Sequence, residues 1–126
     1  MNEPAGDDHH CTVGELRALV DEFVAQRDWG QFHTPKNLSM ALAIEAAELM
    51  EHFQWLTPEA SCRIAQQPER LAPVAEELAD VVCYCLAMAG ELGLDLSTAV
   101  REKMVRNAIK YPAEEYRGRY GPQDDG

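Results

Sequence analysis

Two clusters of acidic residues, about thirty positions apart, constrain the fold of this chain more than any other feature. The first cluster comprises Glu45, Glu48 and Glu51, and the second comprises Glu76, Glu77 and Asp80. Each cluster lies in or beside an otherwise apolar stretch, 42–50 or 78–86. Helical residues three positions apart share a face, so each cluster directs two or three carboxylates to one side. Because these charges repel and apolar neighbours exclude screening water, the pattern predicts a divalent cation between two facing helices.

The composition excludes several classes of protein. A chain of 126 residues is one domain by size, and its net charge of −11 argues against binding to a nucleic-acid polymer or an anionic membrane. Residues 1–8 have no signal-peptide pattern, and no uncharged apolar run is long enough to span a bilayer. Cys83 and Cys85 point roughly 200° apart on a helix, so they cannot bind one metal together. We therefore expect a cytoplasmic protein with reduced thiols.

Hydrophobic periodicity and capping signals predict an all-α chain. Threonines followed by a glutamate or a proline mark three helix starts, at Thr12, Thr34 and Thr57. Helices are predicted over about 13–27, 34–54, 57–66, 73–93 and 97–110, with Pro73 opening the fourth and Gly93 capping its end. Flexible tails are expected over 1–11, which includes two adjacent histidines, and over 113–126, flanking a helical domain at 12–112.

The helix predicted at 34–54, and the segment 78–90 of the helix predicted at 73–93, are apolar around most of their circumference. A single copy of so short a chain has too little surface to cover both of them. The pattern therefore predicts a homo-oligomer.

The segment 27–37 has no helical period and is rich in groups that make directional contacts. Its aromatic, imidazole, cationic and amide side chains are those of Trp29, Phe32, His33, Lys36 and Asn37. Such a loop is typical of small-molecule pockets, but the same aromatics could simply cover the core. Both interpretations stay open from the residues alone.

The helix predicted at 97–110 concentrates cations in an acidic protein. Lys103, Asn107 and Lys110 follow one another by four and then three positions, which places them on one face. That face suits phosphate oxygens, although a solvated face that balances the acidic helices would look the same.

The sequence lacks the motifs of two other kinds of site, a di-iron centre and a Walker-type nucleotide site. A di-iron bundle needs a Glu-x-x-His motif on each of two helices, and His52 is the only histidine near either cluster. No glycine-rich phosphate loop of the Walker type is present. A hard cation, a phosphate-binding helix and a polar aromatic loop together favour hydrolysis of a nucleoside triphosphate.

Several motifs, in a fixed order, resemble those of one family. They are the 27–38 loop, Glu45-x-x-Glu48, Phe53-Gln54-Trp55, the 76–81 cluster and Lys103-x-x-x-Asn107-x-x-Lys110-Tyr111-Pro112. Over about residues 15–112 the chain resembles the MazG-like nucleoside triphosphate pyrophosphohydrolases, and more narrowly their dCTP pyrophosphatase branch. The resemblance implies a fold like a four-helix bundle, completed by assembly into dimers or tetramers.

The resemblance also implies roles for individual residues. Ligands of Mg2+, or of Mn2+, would be Glu45, Glu48, Glu77 and Asp80, and Glu48 would also accept a proton from the attacking water. The base would lie among Trp29, His33, Trp55 and Tyr84, and the phosphates and sugar would contact Lys103, Asn107, Lys110 and Tyr111. Lys36 and Asn37 are further candidates for substrate binding; Lys36 stands where close relatives are expected to carry arginine, so the two-pronged geometry is lost.

The leading hypothesis is therefore Mg2+-dependent cleavage of dCTP or a modified dCTP to the monophosphate and pyrophosphate, in nucleotide-pool house-cleaning. An all-α hydrolase of dUTP or of damaged nucleotides shares the metal chemistry and differs around the base. A non-catalytic helical regulator that binds nucleotides without hydrolysing them is the alternative from a different class.

Overall fold

The computed structural model describes residues 6–119, and every regular element in that range is a helix. The all-α prediction is therefore confirmed. The chain divides into two compact units, one ending at Leu94 and the other beginning at Asp95.

Over its described part, residues 6–94, the first unit contains four α-helices and two short 3₁₀ turns. The helices are α1 (Val13–Gln26), α2 (Pro35–Glu51), α3 (Pro58–Arg63) and α4 (Pro68–Glu91), and the 3₁₀ turns are Trp29–Phe32 and Ile64–Gln66. The three predicted threonine caps are confirmed, because each hydroxyl accepts a hydrogen bond from the backbone N–H three residues on. Local sequence therefore determines where α1, α2 and α3 begin.

Helix α4 is the central element of this unit, because both α1 and α2 pack against it. The α2–α4 contact is the more extensive of the two. Among residues 6–119, the buried apolar side chains are Leu38, Ile64, Leu86, Ala87 and Ala89. The two helices that carry the acidic clusters are thus direct neighbours.

The predicted start of α4 at Pro73 is wrong. The helix begins five residues earlier, where Pro68 occupies the first turn and the N–H groups of Arg70 and Leu71 donate to the Gln67 carbonyl at 3.0 and 2.9 Å. Pro73 lies inside the helix and cannot donate to the carbonyl of Glu69. Residue 69 is exposed, so water can reach that carbonyl and the second turn tolerates the proline.

The ends of α2 and α4 follow different local rules. Helix α2 ends at Glu51 rather than near Gln54, and turns stabilised by bonds to the Met50 carbonyl follow it. Helix α4 ends as predicted, with Gly93 at φ 65° and the Leu94 N–H donating to the Ala89 carbonyl at 2.8 Å. Glycine adopts this left-handed conformation without a steric penalty.

The second unit contains α5 (Leu96–Lys110) and the short α6 (Ala113–Tyr116). The Asp95 side chain caps α5 by accepting from the Thr98 N–H at 3.0 Å. The helical turn α6 lies in the segment predicted as a flexible tail, and the ring of Tyr116 packs edge-on against Tyr111 at 5.2 Å between centroids. This stacking gives the first residues after α5 a defined conformation.

The N-terminal segment also has local structure where it is described. Asp7 Oδ1 accepts from the His9 N–H at 3.0 Å and lies 2.7 Å from His10 Nδ1, so the two histidines belong to a turn. The remaining parts of both predicted tails, 1–5 and 120–126, lie outside the described residues.

Large apolar side chains remain exposed on α2, α4 and α5. Ile44 and Leu78, on the helices with the acidic clusters, are 57% and 52% exposed, and Ile109 on α5 is 75% exposed. Within residues 6–119, no helix combines the length and apolar character that crossing a membrane requires.

Candidate functional site

Three carboxylates meet where α2 packs on α4. Glu45 and Glu48 lie one turn apart on α2, and Glu77 faces them from α4. One oxygen from each residue can be chosen so that all three lie within 4.8 Å of one another. This convergence follows from the three-residue spacing on α2 and from the α2–α4 contact.

The electrostatics of this carboxylate cluster favour a bound cation. Glu45 Oε2 and Glu77 Oε2 are buried and have no hydrogen-bond partner among the described residues. Burial, together with the neighbouring carboxyl groups of Glu48, Glu77 and Asp80, raises the pKa of Glu45 from 4.5 to about 7. A divalent cation would supply the missing partner for both buried oxygens, and hard oxygen donors suit Mg2+ or Mn2+.

Asp80 occupies a different position from the other three predicted ligands. It is not among the three residues whose oxygens converge, although its negative charge still contributes to the raised pKa of Glu45. Asp80 lines the neighbouring cavity, as does Tyr84, which follows Asp80 by one turn of α4. Glu51 and Glu76 are exposed and do not join the cluster.

A largely apolar cavity of about 380 Å³ lies beside the cluster, between α1, α4 and the 3₁₀ turn at Trp29–Phe32. Its volume falls within the range of small-molecule sites. Trp29 and His33 come from the turn and its end, and Asp80 and Tyr84 come from α4. The structure thus brings together three of the four residues predicted around a base, with a carboxylate of the second acidic cluster beside them.

The electrostatics of Tyr84 connect the cavity to the carboxylate cluster. Burial raises the pKa of the Tyr84 phenol, and the negative charges of Glu45 and Asp80 raise it further. The phenol therefore stays protonated and keeps its O–H as a hydrogen-bond donor.

Contacts from α1 hold Trp29 at the edge of the cavity. The Phe23 and Trp29 rings form an edge-to-face pair with centroids 5.6 Å apart. The Arg27 guanidinium lies 3.7 Å from the centroid of the Phe23 ring and also donates to the Phe23 carbonyl at 3.1 Å. The Phe23 ring therefore contacts both the Trp29 indole and the Arg27 guanidinium at the end of α1.

Three predicted substrate-binding residues of the first unit lie outside this cavity. Trp55 follows α2 and is 88% exposed. Lys36 is exposed on the first turn of α2, and the Asn37 amide donates to the Phe32 carbonyl at 3.0 Å. The structure therefore gives Asn37 a contact within the protein.

The predicted phosphate-binding residues all belong to the second unit. Lys103, Asn107 and Lys110 lie on α5, and Tyr111 follows it directly. Asn107 Nδ2 lies 3.8 Å from the Met104 sulfur, and Lys110 Nζ lies 5.3 Å from the centroid of the Tyr111 ring. Lys103 and Lys110 are exposed, so their ammonium groups are accessible to solvent anions.

Sequence reasoning missed part of the cavity wall. Val20, Phe23 and Val24 of α1 line it, as does Cys83 of α4. The signal for Cys83 was its place next to Tyr84, three residues after Asp80. The α1 residues carried no comparable signal, because their apolar spacing only indicated packing.

Comparison with known proteins is consistent with this geometry. The sequence profile of the MazG-like family matches residues 40–120, which include both acidic clusters and α5. The chain belongs to the MazG-like family. It is 44% identical to dCTP pyrophosphatase 1 of Rattus norvegicus over 107 residues, covering 85% of this chain and 63% of that protein. The human dCTP pyrophosphatase 1 is 44% identical over 102 residues, covering 81% and 60%.

A solved structure supports the assignment to the MazG-like family. The crystal structure of a pyrophosphatase from Archaeoglobus fulgidus superposes with a TM-score of 0.75 at 37% identity, covering 86% of this chain and 99% of that one. The chain spans less than two thirds of the length of the mammalian relatives but matches the archaeal protein over nearly its whole length.

Proposed function

We propose that this MazG-like protein hydrolyses deoxynucleoside triphosphates, preferentially dCTP or a modified dCTP, to the monophosphate and pyrophosphate. The observation that carries the proposal is the convergence of Glu45, Glu48 and Glu77 beside a cavity lined by aromatic side chains. Two buried oxygens of this group have no hydrogen-bond partner within residues 6–119. The names of the mammalian and archaeal relatives support the same reaction class. Such a reaction would remove unwanted nucleotides from the precursor pool.

The carboxylate cluster is the proposed cation site, with Asp80 as a fourth and more distant acid. Mg2+ is the expected ion, and Mn2+ offers a similar preference for oxygen donors. When bound, such an ion neutralises charge that develops on phosphate oxygens and lowers the pKa of an attacking water.

The chain's own residues would carry the remaining steps. Glu48 accepts a proton from the water, whose oxygen forms a bond to the α-phosphorus as the bond from that phosphorus to the bridging oxygen breaks. Both electrons of the broken bond stay on the departing pyrophosphate. Trp29, His33 and Tyr84 orient the base, with Trp55 as a further aromatic candidate.

The phosphates and sugar are assigned to the α5 residues and Lys36. Lys103 and Lys110 supply cations, Asn107 supplies an amide, and Tyr111 supplies a ring and hydroxyl. The exposed apolar side chains of α2, α4 and α5 support the further proposal that copies of the chain associate as a dimer or tetramer.

Incubation with each of the four common dNTPs and with 5-methyl-dCTP tests this function directly. With MgCl2 we expect dCMP, or its 5-methyl form, and pyrophosphate in equal amounts by chromatography, and we expect chelation by EDTA to abolish turnover. Release of dCDP and inorganic phosphate would contradict the proposal that the bond at the α-phosphorus is cleaved. Binding of dCTP in calorimetry without any pyrophosphate release would favour a regulatory protein instead.

A further inference from the structure

Side-chain amides tie both ends of the 3₁₀ turn that carries Trp29. At its start, Gln31 Nε2 donates to the Asp28 carbonyl at 3.0 Å. At its end, Asn37 Nδ2 donates to the Phe32 carbonyl at 3.0 Å. The second bond reaches from the first turn of α2 back to the last residue of the 3₁₀ turn.

The identity of residue 35 explains why the Phe32 carbonyl needs a side-chain donor. In a 3₁₀ turn, the carbonyl of residue 32 would accept from the N–H of residue 35. Residue 35 is proline, which has no N–H, because it begins α2. Asn37 supplies the missing donor, while its own backbone N–H donates to the Thr34 hydroxyl at 3.2 Å.

The turn also depends on side-chain bonds because its backbone starts from an unfavourable conformation. Asp28 has φ 51° and ψ 37°, in the left-handed region that non-glycine residues seldom adopt. A backbone of this kind persists only where surrounding contacts hold it. The bonds from Gln31 and Asn37 are such contacts.

We propose that Asn37 is a positioning residue, whose amide fixes the turn so that Trp29 and His33 stay in the cavity wall. Because Asn37 lies on α2, the same bond links the aromatic wall to the helix that carries Glu45 and Glu48. This role differs from the direct substrate contact that sequence predicts for Asn37. The effect of Asn37 on KM rests on the proposed function, whereas its effect on the ligand-free protein does not.

Three variants test the role of this amide. Asn37→Ala removes the side chain, and Asn37→Asp keeps its shape but has no N–H to donate. Ser39→Ala is the matched control, because it removes a 2.8 Å bond to the Lys36 carbonyl in the same helical turn without touching the loop. Thermal unfolding and circular dichroism of all three check that the helices are intact.

The first measurement is kinetic. Asn37→Ala and Asn37→Asp should each raise KM for dCTP about tenfold with kcat changed less than about threefold, because a displaced wall weakens base binding more than the chemistry. Ser39→Ala should keep both constants within about twofold of the parent protein. Parental KM in Asn37→Asp would show that the donated hydrogen bond is not what matters, and the inference would be wrong.

The second measurement needs no substrate. The chain has two tryptophans, so in the Trp55→Phe variant the one indole N–H resonance in an NMR spectrum belongs to Trp29. In ligand-free protein, Asn37→Ala should shift or broaden this resonance, and Ser39→Ala should not. A raised KM with an unchanged Trp29 resonance would instead identify Asn37 as a direct substrate contact.

The two measurements separate failure of the inference from failure of the proposed function. If the parent protein hydrolyses none of the nucleotides, the proposed function is wrong, and the Trp29 resonance alone still decides whether Asn37 holds the turn. If the parent protein is active and Asn37→Ala matches it in both KM and the Trp29 resonance, the inference fails while the function stands.

Discussion

The carboxylate cluster and the aromatic cavity wall lie next to each other but are built in different ways. Glu45, Glu48 and Glu77 project from two long helices that pack together, so their geometry follows from helical periodicity. Trp29 and His33 come from a four-residue 3₁₀ turn and its end, where side-chain bonds replace a regular ladder. The comparison suggests that the cluster resists local perturbation better than the wall, and that single changes can affect one without the other.

The largest expected effect is the loss of activity on replacing Glu77, which should exceed the loss on replacing Asp80. Glu77→Ala should lower kcat/KM for dCTP about 10³-fold, because it removes one of the three convergent carboxylates. Asp80→Ala should lower it only about 10- to 100-fold, since Asp80 lies outside that group and acts on it from the cavity. Steady-state kinetics in MgCl2, with circular dichroism to check helicity, measure the difference. Equal losses would make Asp80 a full member of the cluster.

A smaller effect is expected from a substitution in the cavity wall, which should weaken substrate binding without changing cation binding. Trp29→Ala should raise KM for dCTP about 10- to 100-fold, because stacking on an aromatic ring contributes about 1–3 kcal/mol per base. The affinity for Mg2+, measured by calorimetry without nucleotide, should stay at the parental value. A loss of Mg2+ affinity in Trp29→Ala would show that the wall and the cluster are not independent.

The metal-free protein should become less stable as the pH rises. The pKa of Glu45 is raised from 4.5 to about 7 in the folded state, so the folded chain binds a proton more tightly than the unfolded chain. The stability that comes from this proton is complete below pH 4.5 and is lost as the pH rises to about 7. In EDTA, the temperature at the midpoint of thermal unfolding should therefore decrease as the pH is raised from 4.5 to about 7. The decrease should be larger in the parent protein than in Glu45→Gln.

Added Mg2+ provides the control for this pH dependence. The cation binds the deprotonated carboxylates, so its stabilising effect should grow over the same pH interval. Identical pH profiles for Glu45→Gln and the parent protein in EDTA would show that Glu45 does not cause the change.

The smallest expected effect concerns the backbone of the turn. Asp28→Gly should change the free energy of unfolding by less than about 0.5 kcal/mol, because glycine adopts a positive φ freely. Asp28→Val should destabilise the protein by about 1–2 kcal/mol, since a β-branched residue is strained there. Urea unfolding measures both variants, and equal stability of the two would mean that the turn relaxes out of the left-handed conformation.

The sequence predicted the features that depend on local spacing. The three threonine caps, the glycine at the end of α4 and the placing of Glu45 and Glu48 on one face of α2 all follow from short-range rules. The predicted start of α4 is wrong because proline favours a first turn, whereas the exposed backbone at residue 69 lets Pro73 lie inside a helix that begins at Pro68.

The cavity could be predicted only in part, because its lining depends on which helices meet. Trp29, His33 and Tyr84 stood out through their chemistry, but Val20 and Val24 look like ordinary core residues until α1 is packed against α4. The separation of Asp80 from the other carboxylates is also a tertiary feature. The three-residue spacing that places Glu77 and Asp80 on one face does not say how far each reaches toward α2.

The proline at the start of α2 has a consequence for protein engineering. Pro35 leaves the Phe32 carbonyl without a backbone donor and Asn37 supplies one, so the side-chain hydrogen bonds at both ends of the turn are made within the segment 28–37. A chimera that exchanges base preference with a relative should therefore be joined outside this segment, because a junction at Thr34 would separate an acceptor from its donor. Grafts cut on either side of Asn37 offer a direct way to compare the two designs.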